Sequence, residues 1–245
     1  MKRRSFIQKL VASSTFLFSL PAFAKFSLPH CFTQNQLIGK ETINFVGNPP
    51  LQKEVNLAFV KMQQAARKEG IELAIVSGYR SFDRQYGIWK RKYRQFTKDG
   101  LTPLEAIQKI ISYSTIPGTS RHHWGTDMDI IDRNAKQPTN VLNANNFLTG
   151  GCYEKMYVWM RKYANSFGFY EVYTNEPQRK GFEYEPWHYS YADIALPILE
   201  EYQKIDLLKL LQQTKMEGSE YFTKEFVTAY RNENILDINP ILLPS

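Results

Sequence analysis

Ser120-Arg121-His122-His123-Trp124-Gly125-Thr126-Asp127-Met128-Asp129 is where this chain declares its chemistry and the break between two elements. A polar, Gly-containing loop runs from Pro117 to Gly125, and Met128 to Ile131 then has the apolar, β-branched character of a strand. The chain has four histidines, and three of them (His122, His123 and His188) lie in two segments dense with acids and aromatics. The second segment is Glu183-Tyr184-Glu185-Pro186-Trp187-His188. Two His and one Asp from these segments would make a catalytic zinc shell with a fourth position left for water. A Glu outside the shell would serve as general base beside that water. Each residue type also has a plainer use, a His in the core or at the surface and an Asp as a cap. Spacing alone leaves both readings open.

Outward from this stretch the elements alternate. Leu51, Val55, Ala58, Phe59, Met62, Ala65 and Ala66 recur at helical spacing, and Gly70 stops the run. Ile71 to Val76 reads as a strand entering Ser77-Gly78-Tyr79-Arg80-Ser81, and a helix carrying Ile88, Trp89 and Tyr93 starts near Asp83. Thr102-Pro103-Leu104-Glu105 is a capped helix start, with Pro at the first helical position and Glu three residues after the cap. Residues 132–151, rich in Asn, Gly and Thr, read as a long surface loop. Tyr153 to Phe167 is expected helical and stopped by Gly168, with strands at Phe169–Tyr173 and Tyr184–Tyr189. From Ala192 to about Asn232 the chain reads as mostly helical, and Ile235 to Ser245, with Pro240 and Pro244, reads as an extended tail. No repeat or low-complexity linker divides residues 25–245, so one α+β domain is expected.

The first 24 residues read differently. Lys2, Arg3 and Arg4 precede an apolar stretch from about Leu10 to Phe23 that ends Ala22-Phe23-Ala24, the pattern of a secretory signal. Arg3-Arg4-Ser5-Phe6-Ile7 also resembles a twin-arginine export signal. Export predicts a periplasmic or extracellular location with no stable membrane insertion once the signal is cleaved. Without residues 1–24 the chain has 27 basic and 24 acidic side chains, a net of +3. The apparent basicity is therefore largely export signal, and no long basic stripe is left to bind nucleic acid. Lys90-Arg91-Lys92 with Arg94 reads as the solvated face of a helix. The 43% hydrophobic and 22% charged content excludes a disordered chain, and no apolar run reaches the ~18–20 residues of a membrane span. Cys31 and Cys152 could pair in an oxidising compartment or stay separate thiols.

Three blocks resemble one family. Ser120-x-His122-x-x-Gly125-x-x-x-Asp129 resembles the S-x-H-x-x-G-x-A-x-D motif of the VanY-type D-alanyl-D-alanine carboxypeptidases, a group of zinc metallopeptidases. Glu185-x-Trp187-His188 resembles their E-x-W-H, and Ser77-Gly78-Tyr79-Arg80-Ser81 with Gln85 resembles their upstream S-G-Y-R-S…Q segment. The blocks stand in the family's order across about residues 52–202. The resemblance implies a small, mainly antiparallel sheet flanked by helices, with one Zn²⁺ in a cleft. It assigns His122, Asp129 and His188 as metal ligands and Glu185 as catalytic base. Arg80 would bind the substrate carboxylate or the developing oxyanion. Ser81, Gln85, Ser120 and Trp187 become candidate substrate-binding residues.

The implied substrate is the peptide stem of peptidoglycan, cut beside a D-residue by a D,D- or L,D-carboxypeptidase. A cross-link endopeptidase and a D,D-dipeptidase are alternatives within the same fold, and a non-catalytic wall-binding module is the alternative from another class. The chain departs from the pattern at one position, where the family's small Ala is Asp127. On a strand, Asp127 and Asp129 share a face. Asp127 is thus a candidate outer partner of a ligand, an alternative ligand, or a contact for Arg121. His123 has no ligand role in the motif and is expected to line the cleft or pack.

Overall fold

The computed structural model describes residues 32–42 and 45–244. The expected export signal and Cys31 lie outside the described residues, and Cys152 is a half-buried free thiol. No helix among the described residues is long and apolar enough to cross a membrane.

A short helix α1 (Gln34–Leu37), closed by a Thr33–Gln36 capping box, leads to the two-residue strands β1 (Phe45–Val46) and β2 (Leu51–Gln52). Helix α2 (Lys53–Arg67) buries Val55, Phe59, Met62 and Ala66, a stripe at 3.6-residue spacing. Leu51 belongs to β2, two residues before the helix to which its spacing assigned it. Strand β3 (Leu73–Ser77) enters α3 (Phe82–Lys98), where Ser81 is the N-cap and accepts from the Arg84 N–H. The expected capping box of α4 (Pro103–Ile111) is present, with Thr102 and Glu105 bonding reciprocally.

The sheet is completed by β4 (Asp127–Asp132). After α5 (Glu154–Tyr163), which ends in a 3-10 turn at Gly168 rather than running as one helix to Phe167, come β5 (Phe169–Glu171) and β6 (His188–Tyr191). The order is β3-β4-β6-β5, antiparallel throughout. Every residue of β4 is buried. Met128 and Ile130 go to one face, while Asp127 and Asp129 go to the other, where the cleft lies. Helices α6 (Ala192–Tyr202), α7 (Leu207–Gln213) and α8 (Lys224–Tyr230) follow.

Two expectations need correction. The strand read at Tyr184–Tyr189 begins only at His188. Pro186 has no N–H for a ladder, and the chain turns there, with the His188 N–H donating to the Glu185 carbonyl at 3.0 Å. The C-terminal segment is not a free tail. Ile235, Ile238 and Leu242 are buried, Pro240–Leu242 forms a 3-10 turn, and Asn239 donates to the carbonyls of Val172 and Glu171. Their i, i+3, i+7 spacing is that of a helix face, but Pro240 interrupts the run, so the pattern alone does not mark them as core.

Glu171 on β5 is out of place energetically. Burial pushes its carboxyl up to about 7, against the pull of Arg161 and Arg179, and its Oε1 is buried without a hydrogen-bond partner among the described residues. The folded chain therefore holds this proton where the unfolded chain, with an ordinary value of 4.5, has lost it. Stability contributed here is present below about pH 4.5 and is lost as pH rises through about 7, on the order of 3 kcal/mol. In urea melts of chelator-treated protein, Glu171→Gln should remove that slope. Equal slopes for wild type and variant would refute the assignment.

Candidate metal centre

Three backbone devices bring the polar residues together. Arg121–Trp124 forms a 3-10 turn, and Gly125 closes it in the left-handed region at φ +66, where the Phe45 ring leaves no room for a Cβ. That explains why a glycine stands at this point of the motif. The turn places His122 at the mouth of β4. The sheet register then pairs Asp129 with Ser77 on one side and with His188 on the other.

His122 Nδ1 lies 2.9 Å from the Gly78 carbonyl. A carbonyl only accepts, so Nδ1 carries the proton and Nε2 is left to face Asp129 Oδ1, 3.6 Å away. His188 Nδ1 lies 3.0 Å from Glu185 Oε2 and 3.8 Å from Asp129 Oδ1. Its Nε2 lies 3.0 Å from Asp127 Oδ2. The donor atoms of His122, Asp129 and His188 all fall within 4.8 Å of one another. Asp129 Oδ1 is buried and has no hydrogen-bond partner among the described residues. A carboxylate oxygen in that condition carries a large desolvation cost unless a cation meets it. The donor set of two imidazoles and one carboxylate suits zinc. The residues fit the ion.

The charges are strongly coupled. Burial holds His122 below its ordinary range despite the attraction of Asp129. Burial would also lower His188, but its bonds to Asp127 and Glu185 push it up to about 10. Asp129 lies below the usual carboxylate range because His122, His188 and Arg80 outweigh burial. Glu185 is displaced upward by burial, against its bond to His188.

The centre forms the floor of a cleft of about 660 Å³. Arg80, Ser120, Glu185 and Trp187 line it. Arg80 donates to Gln85 Oε1 at 2.8 Å and to Ser77 Oγ at 2.9 Å. Ser81 and Gln85 are not among the lining residues. Ser81 caps α3, and the fully buried Gln85 holds Arg80 and donates to the Thr115 carbonyl at 2.7 Å. His123 packs in the core, its Nδ1 2.5 Å from the Arg80 carbonyl and its Nε2 accepting from the Gly118 N–H at 3.2 Å. Burial holds it down to about 3. Ser77, which the sequence offers only as part of a motif, supports Arg80, and Ser190, which no motif marks, supports Asp127. Only the strand register, which sets Asp127 opposite Ser190, points to the second of them.

An α+β domain with a His-Asp-His cluster at the base of a cleft is the class that fold and site define. The family described as VanY, D-alanyl-D-alanine carboxypeptidase, matches residues 48–194, and the chain belongs to it. It is 32% identical over 175 residues to the putative carboxypeptidase YodJ of Bacillus subtilis, covering 71% of this chain and 54% of that protein. It is 30% identical over 131 residues to a D-alanyl-D-alanine carboxypeptidase of Enterococcus faecalis, covering 53% of this chain and 44% of that one. The chain thus spans about half the length of these relatives. A solved structure of VanYB in complex with D-alanine-D-alanine shares the fold at 22% identity and a TM-score of 0.50, covering 75% of this chain and 89% of that one.

The chelated wild-type protein should take up one zinc ion and gain melting temperature on doing so. Asp129→Ala should lose more affinity than the ~10–100-fold that removal of an outer partner costs. Its melting temperature should not respond to zinc. Calorimetric titration and thermal melts with and without zinc check both. An unaltered zinc response in Asp129→Ala would remove Asp129 from the ligand set.

Proposed function

We propose that this chain is a zinc-dependent carboxypeptidase that trims peptidoglycan stem peptides beside a D-amino acid, after export directed by residues 1–24. The observation that carries the reading is the Asp129 oxygen left without a partner among the described residues between two histidines, beside a buried Glu185 and an Arg80 held by the neutral acceptors Gln85 and Ser77. Family membership supports the same chemistry.

His122, Asp129 and His188 would hold the ion, and an ion in such a shell supplies Lewis acidity toward a carbonyl and toward water. The remaining work falls to side chains. Glu185 takes a proton from the attacking water at a carboxylate oxygen and returns it to the leaving amine nitrogen. Burial favours its protonated form, which suits the second half of that task. Arg80 meets an anionic oxygen of the substrate. Gln85 and Ser77 fix the guanidinium without neutralising it, so its planar fork stays free for a carboxylate. That supports a substrate with a free C-terminus. Trp187 and Ser120 line the cleft where the peptide would lie.

Digestion of purified muropeptides with and without a chelator tests the reading. Chelator-sensitive loss of a single D-alanine is expected. Release of a dipeptide, or conversion of cross-linked dimers to monomers, would move the activity to the dipeptidase or endopeptidase alternative. No product from zinc-loaded protein would favour a binding module. Glu185→Gln should keep its zinc, measured by metal analysis, while kcat falls by about 10²–10⁴-fold. Wild-type turnover in that variant would exclude Glu185 as the base.

A further inference from the structure

The three roles open to Asp127 can be separated by counting its bonds. Oδ2 is 2.8 Å from Arg121 Nε and 3.0 Å from His188 Nε2. Oδ1 accepts from Thr126 Oγ1 at 2.8 Å and from Ser190 Oγ at 2.7 Å. A carboxylate offers about four acceptor positions, and all are taken, so Asp127 has none left for a metal. The side chain is wholly buried, and Arg121, its charge partner, is 3% exposed.

From this geometry we propose that Asp127 is a positioning residue for the metal centre, fixing His188 with its Nε2–H on the carboxylate and its Nδ1 lone pair toward Asp129 and Glu185. The proposal rests on the metal-centre reading above. A neutral imidazole has one lone pair, and the hydrogen bond at one nitrogen decides which atom offers it. Here the acceptor on Nε2 is an anion that cannot donate, so the proton stays on Nε2. The anion also increases the basicity of the opposite nitrogen, which strengthens it as a ligand. Thr126, Ser190 and Arg121 clamp the carboxylate from three further directions, so the imidazole is held at one angle. A small residue at 127, as in the family's motif, would leave His188 Nε2, Arg121 Nε and Ser190 Oγ without this partner. Asp127, Arg121 and Ser190 therefore form one unit.

The test compares wild type with Asp127→Asn, Arg121→Met and the double variant Asp127→Ala/Arg121→Met, which removes the carboxylate without stranding the guanidinium. Zinc affinity is measured by competition with a chromophoric chelator, and the ring state of His188 by ¹⁵N NMR of the zinc-loaded protein. The double variant should bind zinc about 10–100-fold more weakly and lose the slowly exchanging His188 Nε2–H signal. Asp127→Asn, which keeps an acceptor but no charge, should fall between it and wild type. Arg121→Met, which keeps the Asp127–His188 bond but frees one side of the carboxylate, should lose less affinity than the double variant and keep the His188 Nε2–H signal. Zinc affinities within twofold of wild type across all folded variants would overturn the proposal, as would His188 binding zinc through Nε2. Failure of wild type itself to bind zinc would instead overturn the metal-centre reading beneath it, and this proposal with it.

Discussion

A buried carboxylate oxygen with no hydrogen-bond partner among the described residues is the constraint around which this structure is arranged. Asp129 sits on β4, paired on both sides, so its backbone cannot carry the carboxylate out of the interior without breaking two ladders. Taking a carboxylate out of water costs several kcal/mol unless positive charge is supplied in place. Two histidines and Arg80 are brought within reach, and each comes from a different element: a 3-10 turn, the first residue of β6 and the loop after β3. The sheet register and the motif spacing are two descriptions of one requirement, that these groups meet at one point.

The same electrostatics explains the supporting groups. Arg80 is held by neutral acceptors, Gln85 and Ser77, which orient it and leave its charge for a ligand. Arg121 is held by an anion, Asp127, and its charge is consumed in place. Two arginines within one cleft thus have opposite uses, and the partner of each guanidinium distinguishes them. Desolvation makes the Arg121–Asp127 pair a poor source of stability. Its presence in the core is better explained by what it does to His188 than by any contribution to folding.

Much of this was legible in the sequence because it depends on local spacing. His122, Gly125 and Asp129 lie within eight residues, and Thr102-Pro103-Leu104-Glu105 announces α4 without outside help. What was not legible depends on partners distant in the chain. Gln85 and Ser81 are both uncharged polar residues of one motif, yet one is buried against Arg80 and the other caps a helix, which only packing decides. The aromatic residues of Tyr184–Tyr189 satisfy β propensity, but Pro186 forces a turn, so the strand starts only at His188. Position 127 could be seen as a departure, but its meaning required the β4–β6 register.

The C-terminal segment illustrates the same point and connects the periphery to the cleft. Arg179 donates to the carbonyls of Thr174, Phe182 and Asp237, tying the loop before Glu185 to the end of the chain. Gly181 approaches the Glu233 carbonyl so closely that any Cβ there would collide with it. Asn239 bonds to β5 and the residue after it, and the Glu185 N–H in turn bonds to the Tyr173 carbonyl beside them. The loop that carries Glu185 has little regular structure of its own, so its position is borrowed from the residues packed behind it. A base works only when held within hydrogen-bond reach of the proton it takes. Glu233, Asp237 and Asn239 thus brace the segment around that loop, although none of them lines the cleft.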